Sequence, residues 1–524
     1  MYKILVSDTM SAEGLAPLLK SDKVEIIQKK VDEVQDSLAE FDALLVRSGT
    51  QVTEELVEQM TNLKIVARAG VGVDNIDIDA ATKRGIVVIN APDGNTISTA
   101  EHTFAMMASL LRNIPQSVSS VKDGKWERKK YQGAELYGKT LGIVGMGRIG
   151  GELAKRAKAF GMSVAVFDPF LTQARAQKLG VDAVDFDGLL EVADIITVHT
   201  PLTKDTKGLF NKETIAKAKK GVYLINCARG GIIDEDALVE HIESGHVSGA
   251  ALDVFVTEPP TNTRLIGQDH IITTPHLGAS TVEAQLNVAA SVSEEVLQFL
   301  EGQPVKNSLN LPTLSKEVYE KIKPYYELAS SMGSLVSQCM KVPVKEIELR
   351  YGGSIADLDT TILTRTLLAG FIRPRVDSAV NEVNAAMVTK QRGIAYGEKI
   401  TSDTNGYSNS IKAIVHGENA TFTIQGTFVR EYGPRIVNMN GFDIDFYPNG
   451  SLLYVQHTDR PGVIGNVGHI LGEHEVNIAT MQVGRKEAGG EAIMMLSFDK
   501  PITDDVYNEL RKIDDIVSIN KIEL

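Results

Sequence analysis

Thr140–Gly161 reads TLGIVGMGRIGGELAKRAKAFG, and the fold turns on it. A short β-branched run ends at Gly145, three glycines follow at Gly145, Gly147 and Gly150, and a helical pattern starts at once. Gly145 permits a tight turn, Gly147 lets backbone approach a pyrophosphate, and Gly150 allows close helix–strand packing. The uncapped helix start offers N–H groups and partial positive charge to phosphates. The next apolar run, SVAVFD, ends in Asp168. A carboxylate there would bond ribose hydroxyls and repel a 2′-phosphate, so the pattern predicts NAD rather than NADP.

Downstream the strand–helix rhythm continues through ADIITVHT, GVYLINCA, GAALDVF and HIITTP, which predicts a doubly wound parallel sheet of six strands. Upstream, KILVSD, DALLVRSG, LKIVARAG and GIVVINAP alternate with helical segments and predict a first α/β unit. Between the two, STAEHTFAMMASLLRN reads as a helix with Ser98 or Thr99 as its cap. KDGKWERKKYQGAELYGK, with the one tryptophan, Trp126, reads as an exposed excursion. The helix TVEAQLNVAASVSEEVLQFLEG then ends near Gly302, with Pro304 beyond. From 312 to 450 helices mix with strand-like KEIELRY, IKAIVHG, ATFTIQGTFV and FDIDFYPNG, an α+β pattern. The last stretch, from Ser451, reads β-α-β-β-α-β, which fits a ferredoxin-like sandwich.

A chain of 524 residues is too long for one core. Its 43% hydrophobic and 23% charged residues are ordinary globular values. The net charge of −14 argues against nucleic acid or anionic membrane as a partner. Cys227 and Cys339 are the only cysteines, too few for a disulfide framework or a Cys-rich zinc site, so no metal is expected and a reducing cytoplasm fits. The opening MYKILVSD lacks a signal-peptide h-region, and no uncharged apolar stretch reaches the roughly 18 residues that span a bilayer.

Oxidising a 2-hydroxy acid with NAD needs a base for the hydroxyl proton, a cation for the carboxylate and a group that tunes the base. Three strand-end segments, NCARGG, DVFVTEPP and TPHLGAS, offer Arg229, Glu258 and His276. With ARAGVGVDNID, NAPDGNTISTAEH and GKTLGIVGMGRIG, these segments make the chain resemble the D-2-hydroxy-acid dehydrogenases, and more narrowly their long, 3-phosphoglycerate-oxidising branch. The resemblance runs the whole length of the chain.

That resemblance implies His276 as general base, Glu258 favouring its imidazolium, and Arg229 gripping the carboxylate through a bidentate fork. It implies cofactor contacts at Arg148, Ile149, Thr200, Cys227, Ala228, Gly278 and Ala279, with Asp253 accepting from the nicotinamide amide. His199 and His102 are expected to be structural or cofactor-adjacent. Arg47 and Arg68 would hold a phosphoryl group, the segment from Gly70 through Val71 and Gly72 to Asn75, with Asn95, would shape the same loop, and Arg128 would reach a neighbouring subunit's site. The implied fold is a Rossmann-type nucleotide domain (98–286) beside a flavodoxin-like, discontinuous substrate domain (1–97 and 287–310). An intervening α+β domain (312–450) and a ferredoxin-like ACT domain (451–524) follow.

The implied reaction is NAD-dependent oxidation of 3-phospho-D-glycerate to 3-phosphohydroxypyruvate, the first step of serine biosynthesis, with 2-oxoglutarate reduction as a side activity. A hydroxypyruvate or glyoxylate reductase is the alternative within the family. A catalytically idle NAD-sensing scaffold would be expected to lack one of Arg229, Glu258 and His276, and all three are present. In serine-sensing ACT modules the positions of His457, Asp459 and Asn477 bind the effector between subunits, which implies serine feedback in a homodimer or homotetramer. Arg373, Arg375 and Arg392 of the intervening domain are further candidates for an anion.

Overall fold

The computed structural model describes residues 1–524. Four sheets follow one another along the chain. The first holds β1 (Tyr2–Val6), β2 (Val24–Gln28), β3 (Ala43–Val46), β4 (Ile65–Arg68) and β5 (Val87–Asn90), all parallel, in the order β2-β1-β3-β4-β5. That is the flavodoxin-like order. β2 is an edge strand that the sequence reading omits: VEIIQ buries only Val24 fully and lacks a clean alternation.

The second sheet is parallel and holds β6 (Thr140–Val144), β7 (Ser163–Phe167), β8 (Asp182–Ala183), β9 (Ile195–Val198), β10 (Val222–Asn226), β11 (Val247–Leu252) and β12 (Ile271–Thr273). Its order, β12-β11-β10-β9-β6-β7-β8, adds the two-residue β8 to the six expected strands. The order reverses between β6 and β9, so a crevice opens beyond their carboxyl ends, where Gly145 and His199 lie. Each face of this sheet has its own apolar core, one around Leu224 and Leu238, the other around Ile143 and Leu153.

Helices Thr96–Leu111 and Val282–Leu300 run between the lobes. The first starts at Thr96, earlier than the expected cap. Ser98 and Thr99 therefore sit inside its first turn, and both hydroxyls donate to the carbonyl of Gly278 (2.7 and 3.1 Å). They tie the helix to the TPHLGA segment instead of capping it. The second helix presents Val288, Val292 and Val296 to the core of the first sheet. Buried Glu295 accepts from the backbone of Lys306 and Asn307, and the chain then bridges back to β5 through Ile89 and Ser308.

The third sheet comprises β13 (Val344–Gly353), β14 (Ala395–Thr401), β15 (Asn409–Gly417), β16 (Thr421–Val429), β17 (Gly433–Met439) and β18 (Phe442–Phe446), ordered β14-β13-β15-β16-β17-β18. β14 and β17 are absent from the sequence reading. AYGEKIT is mostly exposed, and GPRIVNM opens on Gly-Pro, a turn signal. The fourth sheet holds β19 (Ser451–Thr458), β20 (Ile478–Arg485), β21 (Glu491–Phe498) and β22 (Ile516–Glu523), antiparallel, in the order β20-β21-β19-β22. With helices Val463–Glu473 and Asp504–Leu510 this is the ferredoxin-like arrangement. Its helix-free face is not exposed: Leu452, Tyr454, Ile493, Met495 and Ile522 share a core with Leu328, Met332 and Ile424 of the preceding region. Alternate residues of β19, Leu453 and Val455, pack against the two helices.

Candidate functional site

Strand ends of both lobes converge on one cleft, formed by adjoining cavities of about 870 and 470 Å³ that share Gly72, Arg229 and His276. The smaller one lies over the glycine turn. Gly145 adopts φ +95, and a Cβ there would come within 2.6 Å of the His199 carbonyl oxygen. A Cβ on Gly150 would lie 2.2 Å from the Gly145 oxygen, whereas Gly147 faces open space. Gly147 is the N-cap of helix Arg148–Ala159 and no side chain caps it. Asp168 accepts from the backbone N–H of Met146 (2.7 Å) and Phe170 (2.8 Å), so the acid also shapes the turn it serves. Arg148 reaches across the cleft to pair with Asp93 of the first lobe.

The polar lining of this cavity is incompletely satisfied. Asn95 Oδ1, His199 Nδ1 and Thr200 Oγ1 are buried without a partner. Burial pushes the His199 imidazole down to about 4, so the ring is neutral near neutral pH. Ile149, Cys227, Ala228, Gly278 and Ala279 complete the wall. An uncapped helix start, an open Gly147 and unpartnered polar atoms together fit a bound dinucleotide.

Asp253 is fully buried. Its Oδ1 accepts from Thr274 Oγ1 (2.6 Å) and the Leu277 N–H (2.7 Å), its Oδ2 from the Gly278 N–H (2.8 Å), and His102 Nε2 lies 3.2 Å away. Burial raises its carboxyl, but these donors outweigh burial and the net shift is downward. The expected nicotinamide contact would have to share oxygens already holding the loop that carries His276. Asp253, His102 and Cys227 have ligand atoms within 4.8 Å of one another. Burial and the Asp253 charge push the Cys227 thiol up to about 12, so it stays protonated. The carboxylate of this cluster is committed to the loop.

His276 follows β12 with φ +55, a left-handed conformation uncommon for a side-chain-bearing residue. Its Nδ1 is 2.8 Å from Glu258 Oε2, while Glu258 Oε1 accepts from the Phe255 N–H (3.1 Å). Arg229 follows β10; its Nε donates to Asp74 (3.0 Å) and its Nη1 to the Ala228 carbonyl (2.7 Å). Only Nη2 is unengaged, and it lies where a Cβ on Gly72 would sit. A bidentate grip on a carboxylate through Nε and Nη2 requires the Asp74 contact to give way. Asp74 falls within the Gly70–Asn75 loop expected from the sequence, but its pairing with Arg229 has no local signature.

Arg47 and Arg68 line the larger cavity with Gly70, Val71, Gly72 and Asn95. Burial, followed by the charges of Arg229 and Arg47, lowers the Arg68 guanidinium to about 10. With Arg229 paired to Asp74, Arg47 and Arg68 are the cations of this cavity placed to meet an anion. Arg128 is exposed on the excursion with Trp126 and lines neither cavity of its own chain.

Other candidates fare differently. Arg375 donates to the Ser337 hydroxyl and to the Ser337 and Met340 carbonyls, closing the end of helix Pro324–Cys339. Arg373 donates to the Val380 carbonyl (2.8 Å). Arg375 is thereby committed to the helix end, whereas Arg373 and Arg392 are exposed. In the last module Asp459 pairs with Arg485 (2.9 Å) and accepts from the Gly489 N–H, which hold its carboxyl low. His457 is buried with Nε2 unpartnered. Asn477 instead bonds Asp499 (2.8 Å). His457 pairs with Ala492, whereas Ile478 pairs with Phe498 at the opposite end of β21. One chain does not bring the three together.

No helix is long and apolar enough to cross a membrane. Residues 104–278 match the D-isomer specific 2-hydroxyacid dehydrogenase NAD-binding domain. Residues 321–440 match the D-3-phosphoglycerate dehydrogenase intervening domain, and 451–515 the ACT domain. The chain is 63% identical, over 100% of both chains, to D-3-phosphoglycerate dehydrogenase of Bacillus subtilis. It is 42% identical, again over 100% of both, to the Methanocaldococcus jannaschii protein of that name. Among solved structures, D-lactate dehydrogenase from Aquifex aeolicus complexed with NAD and lactic acid is 31% identical, with a TM-score of 0.53, covering 59% of this chain and 100% of that one.

Proposed function

The chain belongs to the D-3-phosphoglycerate dehydrogenase family, and from that premise we propose how its own residues carry out NAD-dependent oxidation of 3-phospho-D-glycerate to 3-phosphohydroxypyruvate. The observation that carries the reading is the His276–Glu258 pair set in one cleft with Arg229, Arg68 and Arg47. Bound NAD supplies the acceptor for the hydride that leaves C2 of the substrate.

His276 Nε2 takes the hydroxyl proton as the ketone forms. Glu258, on Nδ1, fixes the tautomer and offsets the positive charge that develops on the ring. Arg229 receives the substrate carboxylate at Nη2, and Asp74 releases Nε as the second prong engages. Arg47 and Arg68 hold the phosphoryl group at the far end, which fixes C2 against the imidazole. Asp253 holds the loop of His276 through Leu277 and Gly278. Asp168 selects NAD over NADP. Hinge closure between the lobes, with Arg148 and Asp93 in contact across the gap, excludes water from the reaction.

The ACT domain senses a small molecule, and L-serine is the effector this reading assigns. His457 and Asp459 of one subunit would meet Asn477 of another, because one chain separates them; the enzyme is accordingly a homodimer or homotetramer, acting in the cytoplasm. Arg128 contributes to a neighbouring subunit's cleft, and 2-oxoglutarate reduction is a side activity of the same site. The test is oxidation of 3-phosphoglycerate and D-glycerate with NAD, with and without serine. A preference for the phosphorylated acid supports the reading, and equal rates refute phosphate recognition. Unchanged rates at millimolar serine refute the effector assignment.

A further inference from the structure

The two arginines assigned to the phosphoryl group stand on separate strand ends, and cations so placed repel one another. Arg47 follows β3, and Arg68 closes β4. Something must hold them at one spacing before the anion arrives. The turn after β3, Arg47–Thr50, is fixed from two sides. Asp8 Oδ2 accepts from the backbone N–H of Arg47 (2.6 Å) and of Thr50 (3.2 Å), and Oδ1 accepts from the Thr50 hydroxyl (3.1 Å). Asn75 Nδ2 donates to the carbonyl oxygens of the same two residues, Arg47 (2.8 Å) and Thr50 (2.6 Å). Asn75 Oδ1 accepts from Arg68 Nε (3.1 Å). One amide thus joins the Arg47 turn to the Arg68 guanidinium, with both donors and its acceptor used.

Resting on the phosphate-binding role of Arg47 and Arg68, we propose that Asp8 and Asn75 are positioning residues that fix the spacing of those two guanidinium groups and so set the preference for a phosphorylated over an unphosphorylated 2-hydroxy acid. Chemistry selects these residue types. Two carbonyls and one guanidinium N–H require a group with two donors and an acceptor, which an amide supplies and a carboxylate does not. Two backbone N–H groups and a hydroxyl require an acceptor-only group, which a carboxylate supplies. Burial and the neighbouring Arg229 and Arg47 charges already disfavour the Arg68 cation. Losing its Asn75 partner would let it swing away from the other two.

Gly49 gives independent access to the same clamp. A Cβ there would lie 2.6 Å from Asp8 Oδ1, so alanine displaces the carboxylate without touching Asn75 or Arg68. The experiment compares kcat and KM for 3-phosphoglycerate and for D-glycerate in N75L, N75D, G49A and R68A, with unfolding midpoints as a folding control. N75L and G49A are expected to raise KM for 3-phosphoglycerate at least about tenfold, with kcat within about twofold and kcat/KM for glycerate little changed. N75D keeps an acceptor for Arg68 and is expected to fall between wild type and N75L. Should N75L not fold, N75D and G49A decide. Equal losses on both substrates, or none on either, in folded variants would overturn the clamp while leaving the phosphate grip intact. An unchanged phosphate preference in R68A would remove the grip, and the clamp with it.

Discussion

His276 Nδ1 lies 2.8 Å from Glu258 Oε2, which leaves Nε2 as the ring atom free to exchange a proton with a substrate in the cleft. Replacing Glu258 by glutamine keeps a side chain that can accept the ring N–H but removes the charge facing a developing imidazolium. E258Q is expected to lower kcat for 3-phosphoglycerate by about tenfold or more, with NAD affinity retained. Steady-state kinetics with a separate titration of NAD checks both halves.

The glycine turn offers a contrast between packing and ligand approach. A methyl at Gly150 meets the Gly145 oxygen at 2.2 Å, while one at Gly147 meets nothing within 4 Å. G150A should lose more than about 1 kcal/mol of stability. G147A should unfold within about 0.5 kcal/mol of wild type yet bind NAD at least about tenfold more weakly, since its methyl occupies the approach to the pyrophosphate. Denaturant unfolding and fluorescence titration with NADH separate the two effects.

Asp253 organises the loop that holds His276 in its left-handed conformation. D253A leaves the Leu277 and Gly278 N–H groups without their acceptor. The expected cost is about 1–3 kcal/mol of stability together with a fall in kcat. A variant with wild-type kcat would show that the loop needs no such anchor.

His199 makes stability depend on pH. Burial lowers its imidazole from 6.5 to about 4. Between those values the unfolded chain binds the proton and the folded one does not. The contribution is therefore complete above about pH 6.5 and is lost as pH falls through about 4. It amounts to at most about 3 kcal/mol, reduced by solvent screening where the ring meets the cleft. H199N should flatten the pH dependence of the unfolding midpoint in that window. A curve parallel to wild type would contradict the assignment.

The nucleotide-binding lobe was legible in the sequence because its signal is local: TLGIV, GMGRIG and Asp168 follow one another along the chain. Arg229, Glu258 and His276 each stood at a strand end, so the rhythm of strands placed them on one side of the sheet. What escaped had no local pattern. The edge strand VEIIQ is half exposed and alternates poorly. Ser98 and Thr99 looked like caps because both are good cap residues, but their partner, Gly278, is distant in sequence. The spread of His457 and Asn477 to opposite ends of a sheet follows from the β-hairpin pairing, which residue identities do not reveal. Asp8, and the partners of Asn75 within its expected loop, likewise involve backbone groups of a turn distant along the chain.

The most direct test of the central claim is the turnover of H276A with 3-phosphoglycerate and saturating NAD, followed by the absorbance of reduced nicotinamide. With the proton acceptor gone and the cofactor cavity untouched, kcat should fall by about 10²–10⁴ while NAD still binds. Turnover within about threefold of wild type would contradict the assignment of His276 as the base.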